Sequence, residues 1–170
     1  MRSRTAEWFE CKVRCERMNE NGETKKVIDL YTVNALSFTE AEARITGHLA
    51  NYIDGKTMEV LAITRAPYRE VFFPDDEETA DRFYKVKIKF ITLDERTGKE
   101  KKIPVVYLFN AASFEKASAL IKKFQATCLQ DFEKTSITET KIVDIIEVIN
   151  ERSAITESNI TESIEQPTSI

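Results

Sequence analysis

The chain has 170 residues, 42% of them hydrophobic and 9% aromatic, enough for one core of ordinary size or two small cores in contact. Its formal charge of -4 argues against a strongly basic nucleic-acid binder, and the lack of any long apolar run excludes a transmembrane helix, which needs roughly 20 such residues. Cys11, Cys15 and Cys128 make an odd number, and Met1-Arg2-Ser3-Arg4 has no apolar stretch resembling a signal peptide; a reducing cytoplasm is therefore the expected location.

In chain order, the first element is a strand. Phe9, Cys11, Val13 and Cys15 alternate with polar residues, the period of a strand buried on one face. A loop containing Gly22 turns the chain back into a second strand, about Lys26 to Asn34. Ser37 reads as a helix N-cap whose hydroxyl accepts from the unpaired N–H groups of the first turn, and Glu40 completes a capping box. The predicted helix buries Phe38, Ala41, Ile45, Leu49 and Tyr52 along one stripe. A third strand is expected near Met58 to Arg65, and the apolar run Val71-Phe72-Phe73 closes the segment.

The same order then recurs. Tyr84, Val86, Ile88 and Phe90 alternate, Gly98 lies in the loop, and a returning strand of about Lys102 to Asn110 leads to Ser113 as N-cap. Lys116 stands where a capping box would need an acid. The second helix buries Phe114, Ala117, Ile121, Phe124 and Cys128, followed by a strand near Thr135 to Thr140 and the apolar run Ile142 to Ile149. With Gly22 set on Gly98, eleven of the twenty-four positions from 22 to 45 are identical without a gap. The offset is 76 there, 75 across the first strands and 74 after the helices. Self-similarity of this kind means duplicated architecture.

The fold class read from this pattern is α+β, a tandem duplication of a ββαβ unit. The first copy covers residues 1–74 and the second 82–150, with an acidic linker at 75–81 between them. A disordered Ser/Thr/Glu-rich tail is expected at 151–170. Sheets that pack together and sheets that join edge to edge both satisfy the pattern.

Familiar chemistry finds little support. His48 is the only histidine and falls in the middle of a helix, an awkward place for a nucleophile's base, so it reads as an ordinary helix residue. Cys11 and Cys15 face inward from one strand, with no second Cys or His pair to complete a metal site. The four glycines are scattered and form no phosphate loop, and the run Asp75 to Glu78 cannot converge as spaced loop ligands do. The expectation is a non-enzymatic protein with no metal and no cofactor.

Charge distribution carries more colour. Residues 82 to 123 hold eleven Lys and Arg against four Asp and Glu, whereas residues 124 to 170 hold three against nine. Lys85, Lys87 and Lys89 alternate with the apolar set and so line the outer face of one strand. The matching positions in the first copy are Glu10, Lys12 and Arg14. Lys25, Lys26, Lys101 and Lys102 extend the two strips, and Tyr31 and Tyr107 recur at equivalent positions where exposed rings would stack on bases. Single-stranded nucleic acid is the specific ligand this pattern points to. The blander reading is that strand lysines guard against edge-to-edge pairing and that a repeated tyrosine is core. The alternative function is a structural or protein-interaction protein docking through a sheet edge or the tail.

Three stretches carry a family resemblance: Trp8-Phe9-Glu10-Cys11-Lys12-Val13-Arg14, Ala35-Leu36-Ser37-Phe38-Thr39-Glu40-Ala41-Glu42-Ala43-Arg44 and Phe90-Ile91-Thr92-Leu93-Asp94-Glu95. Over roughly residues 7 to 147 the chain resembles a domain-of-unknown-function family of short proteins from Bacteroidota and their bacteriophages. The resemblance implies a bacterial or phage-encoded setting and brings no catalytic or binding residues with it.

Overall fold

The computed structural model describes residues 1–53, 58–75 and 80–148. In chain order the elements are β1 (Arg2–Thr5), β2 (Trp8–Met18), β3 (Thr24–Asn34), α1 (Phe38–Leu49), β4 (Glu59–Arg65), β5 (Tyr68–Phe73), β6 (Arg82–Leu93), β7 (Glu100–Ala111), α2 (Phe114–Thr127), β8 (Phe132–Glu139) and β9 (Ile142–Ile146). The fold is α+β, with two helices and two mixed sheets. The tail expected at 151–170 and most of the acidic linker, residues 76–79, lie outside the described residues.

Local signals set the hairpins and the helix starts. β2 pairs with β3 and β6 with β7, each antiparallel along its whole length. Gly22 and Gly98 adopt φ of +78° and +65° in the two turns, a region open to glycine at little cost. The Glu40 N–H donates to Ser37 Oγ at 3.1 Å and the Lys116 N–H to Ser113 Oγ at 3.3 Å, each cap contributing about 1 kcal/mol. The Glu40 carboxylate reaches one residue further back than a capping box requires and accepts from the Leu36 N–H at 2.6 Å. Both expected helical stripes are corrected at their ends. Phe38, Phe114 and Tyr52 are largely exposed, because the two phenylalanines sit at the first helical position and Tyr52 lies beyond the last.

Topology is where local reading stops. One sheet has the order β4-β2-β3-β9 and the other β1-β5-β7-β6-β8. β5 leaves the first half and pairs parallel with β7, while β9 leaves the second half and pairs parallel with β3. The apolar runs that were expected to close each unit therefore become strands of the opposite sheet. The exchange is matched position by position. Tyr31 faces Asp144 as Tyr107 faces Glu70, and Val33 faces Ile146 as Phe109 faces Phe72. The register shifts in the β2–β4 and β6–β8 pairings also fall at corresponding places, between Lys12 and Val13 and between Lys87 and Ile88.

Three apolar layers follow. α1 packs Ala41, Ile45 and Leu49 on Phe9, Cys11, Val13, Tyr31 and Val33, and α2 packs Ala117, Leu120 and Ile121 on Tyr84, Val86, Ile88 and Phe109. Between the sheets, Trp8 and Ile142 of one meet Tyr68, Val71, Phe83 and Leu108 of the other. The sheets thus pack face to face, with a helix on the far side of each. Among the described residues no helix is long and apolar enough to cross a membrane.

Candidate binding surfaces

The lysine-bearing strand faces are turned toward the opposite sheet, because the helices cover the apolar faces. The two strips touch at their start, where Lys85 Nζ lies 3.2 Å from Glu10 Oε1. Several expected contact residues are pinned by glutamates. Arg14 bonds Glu59 at 2.8 Å and Lys102 bonds Glu133 at 2.7 Å. Lys12, Lys87, Lys89, Lys25, Lys26 and Lys101 are exposed and form no salt bridge among the described residues, although Lys89 stands opposite Glu133 and, after Lys102, its charge helps to hold that carboxylate's pKa down. Tyr31 and Tyr107 overturn the stacking expectation, since they are only 5% and 4% exposed. Each shares its strand face with a core residue two positions on, Val33 and Phe109, and so turns toward its helix.

Tyr68 holds the junction between the strips. Its hydroxyl lies 2.7 Å from Thr32 Oγ1 and donates to Glu10 Oε1 at 3.2 Å, and the Lys85 ammonium sits over its ring. Burial, first of all, pushes its pKa well above the ordinary tyrosine value. The unfolded chain then releases this proton near pH 10 while the native state retains it, so Tyr68's contribution is complete below that pH and is lost as pH rises beyond it. Urea unfolding at a series of pH values is expected to show stability falling above about pH 10, with a shallower fall in Tyr68→Phe. An unchanged fall in that variant would remove Tyr68 as a cause.

A second surface was not read from the sequence. A groove of about 940 Å³ opens between the C-terminal end of α1 and the turn end of the β2–β3 hairpin, lined by Arg17, Tyr31, His48, Tyr52 and Asp144 among others. Behind it lies a polar hub. The Asp29 carboxylate is nearly buried and pairs with the Arg17 guanidinium. It also accepts from the Tyr31 hydroxyl at 3.5 Å and from the Cys15 thiol at 3.6 Å. The Cys15 pKa is raised by burial first and by the Asp29 charge second, which keeps the thiol protonated and donating. His48, expected to be an ordinary helix residue, sits in the last turn of α1, its ring 5.5 Å from that of Tyr52.

Residues 7–148 match the protein family described as Domain of unknown function (DUF4494). No curated protein and no solved structure matches the chain. The match spans most of the sequence, and the chain belongs to that family.

Proposed function

We propose that this family member is a non-enzymatic binding protein, formed by tandem duplication of a ββαβ unit, whose exposed strand lysines contact single-stranded nucleic acid. The duplication is supported by the corresponding registers of the exchanged strands and by the matched register shifts. The observation that carries the ligand is that Lys12 and Lys87, at equivalent positions, are exposed and without an ion pair among the described residues, whereas the cations around them are held by glutamates, Lys89 in part by Glu133 opposite it. Lysines left unneutralised on a folded surface can exchange counterions for phosphate. The contact set is accordingly narrower than the sequence suggested, without base stacking on Tyr31 or Tyr107.

Fluorescence anisotropy with labelled single-stranded and duplex oligonucleotides across a salt series tests this reading. Wild type is expected to bind the single strand, with affinity falling as salt rises. Changing Lys12, Lys87 and Lys89 together to Glu should make the log–log slope shallower by about two, since each neutralised phosphate on a single strand contributes about -0.7. No binding at low salt would remove nucleic acid as the ligand. The buried tyrosines and the pinned cations favour the second reading, docking of a protein partner, in that event.

A further inference from the structure

We propose that the groove between α1 and the β2–β3 hairpin binds a small organic anion that carries a flat ring and hydroxyl or amino donors, anchored by Arg17. The site borders Lys25 and Lys26, the register partners of Arg17 and Glu16, and does not involve Lys12, Lys87 or Lys89.

The first support is a comparison of the two halves. Under α2, the rings of Phe72, Tyr107, Phe109, Phe124 and Phe132 form one cluster, with Phe124 within 5.6 Å of Phe72, Tyr107 and Phe132, and Phe90 packs on Phe132. The register and the helix alignment place Ile146, Tyr31, Val33, His48, Met58 and Cys15 at the corresponding positions of the first half. Four rings are replaced by Ile, Val, Met and Cys, and a fifth by an imidazole. Of these positions Tyr31 and His48 line the groove, so the imidazole stands at the groove where the second half carries the Phe124 ring.

The second support is the cost of what lines it. Asp29 stands where the second half has Val105, and Arg17 where it has Thr92. A carboxylate drawn out of water loses hydration that its ion pair repays only in part, and apolar replacements of such pairs are often neutral or stabilising. The fold holds an apolar solution in its own second half, so packing alone does not require Asp29 and Arg17.

Chemistry then selects the ligand. A guanidinium carries five N–H donors in a fixed fork. Asp29 holds the Arg17 group from behind and fixes its direction, while the side chain remains about half exposed at the groove. An oriented fork of this kind matches a carboxylate or a phosphate. Because Asp29 also offsets its charge, attraction comes from short directed hydrogen bonds and not from a long-range field. The rings of His48 and Tyr52 and the apolar Leu49 and Val143 offer a surface for a flat body. Glu16 and Asp144 also line the groove; they disfavour a bare anion and accept from hydroxyl or amino groups. Nucleoside monophosphates and aromatic amino acids share this chemistry, and the volume lies within the range of about 300–1,000 Å³ typical of small-ligand sites.

The test is an NMR titration of the full-length ¹⁵N-labelled chain with adenosine 5′-monophosphate and with L-tryptophan, using adenosine and inorganic phosphate as controls. At least one of the two anionic ring compounds should saturate, shifting amides around Arg17, His48 and Tyr52, and which one does so identifies the source. The controls should bind about tenfold more weakly or less, the loss expected when a charge-assisted fork or its ring partner is missing. Arg17→Thr combined with Asp29→Val, which installs the second half's residue pair, should keep a dispersed spectrum and lose about tenfold in affinity. Should that pair fail to fold, Arg17→Lys retains the charge without the fork and Tyr52→Ala removes an exposed ring, and each should weaken binding. Neither compound saturating by about 10 mM, shifts that map elsewhere, or folded variants that bind as wild type would each overturn the site.

Discussion

Truncation of Phe109 to alanine is expected to cost about 3–5 kcal/mol, the upper range for deleting a buried aromatic side chain. Its ring is fully buried, stacks nearly parallel on Phe72 at 4.7 Å, and meets Phe124 of α2 edge-on at 6.3 Å. Removal therefore opens a cavity at the point where the exchanged strand β5, the native strand β7 and the helix meet. A domain of this kind has a total stability of about 5–15 kcal/mol, so the loss takes a large fraction of it. Val33, the corresponding residue of the first half, is equally buried, but fewer atoms leave in Val33→Ala and the cost should be about 1–3 kcal/mol. Urea unfolding measures both, with the midpoint moving and the slope unchanged. A loss below about 1 kcal/mol for Phe109→Ala would mean that the ring cluster is not the core of its sheet.

The elements that could be read in the sequence are those governed by neighbouring residues. Alternation gave β2 and β6, the positive-φ glycines marked the two turns, and Ser37 and Ser113 marked the helix starts. β1 had no such signal, since Arg2-Ser3-Arg4-Thr5 is polar and becomes a strand only by pairing with β5. The exchange of β5 and β9 was hidden for a related reason. An apolar run shows that a strand will be buried, but with only Ala66-Pro67 or Thr140-Lys141 before it, nothing local states which sheet it joins. The site was legible in one direction only. Strand parity from Val33 and Phe109 places Tyr31 and Tyr107 inward, which counts against stacking. The groove shows in the sequence only where the two self-similar stretches differ, Asp29 against Val105 and His48 against Phe124, and not where they agree.

Strand exchange makes a strong demand on the halves taken separately. Residues 1–74 alone, and residues 80–148 alone, are expected to remain unfolded, although each contains a hairpin, a helix and a strand. Without the second half, β3 loses the strand that pairs along Leu30 to Val33, and Ile142 and Ile146 vanish from two of the three apolar layers. β5 meanwhile keeps only β1 as a partner and has no sheet to enter, leaving Tyr68, Val71 and Phe72 in water. Each such side chain contributes roughly 1.5–3 kcal/mol when buried, so these three account for roughly 5–9 kcal/mol, comparable with the stability of a whole domain. A unit of this size is marginal even with its core complete. Circular dichroism and amide dispersion should show each half disordered, and mixing them should restore dispersion in a concentration-dependent way, because each supplies the strand the other lacks. If residues 1–74 gave a dispersed spectrum and a cooperative transition alone, β5 would have to join the sheet formed by β2, β3 and β4 of its own half. The exchange would then be one of two accessible arrangements of the same strand and not the contact on which both sheets depend.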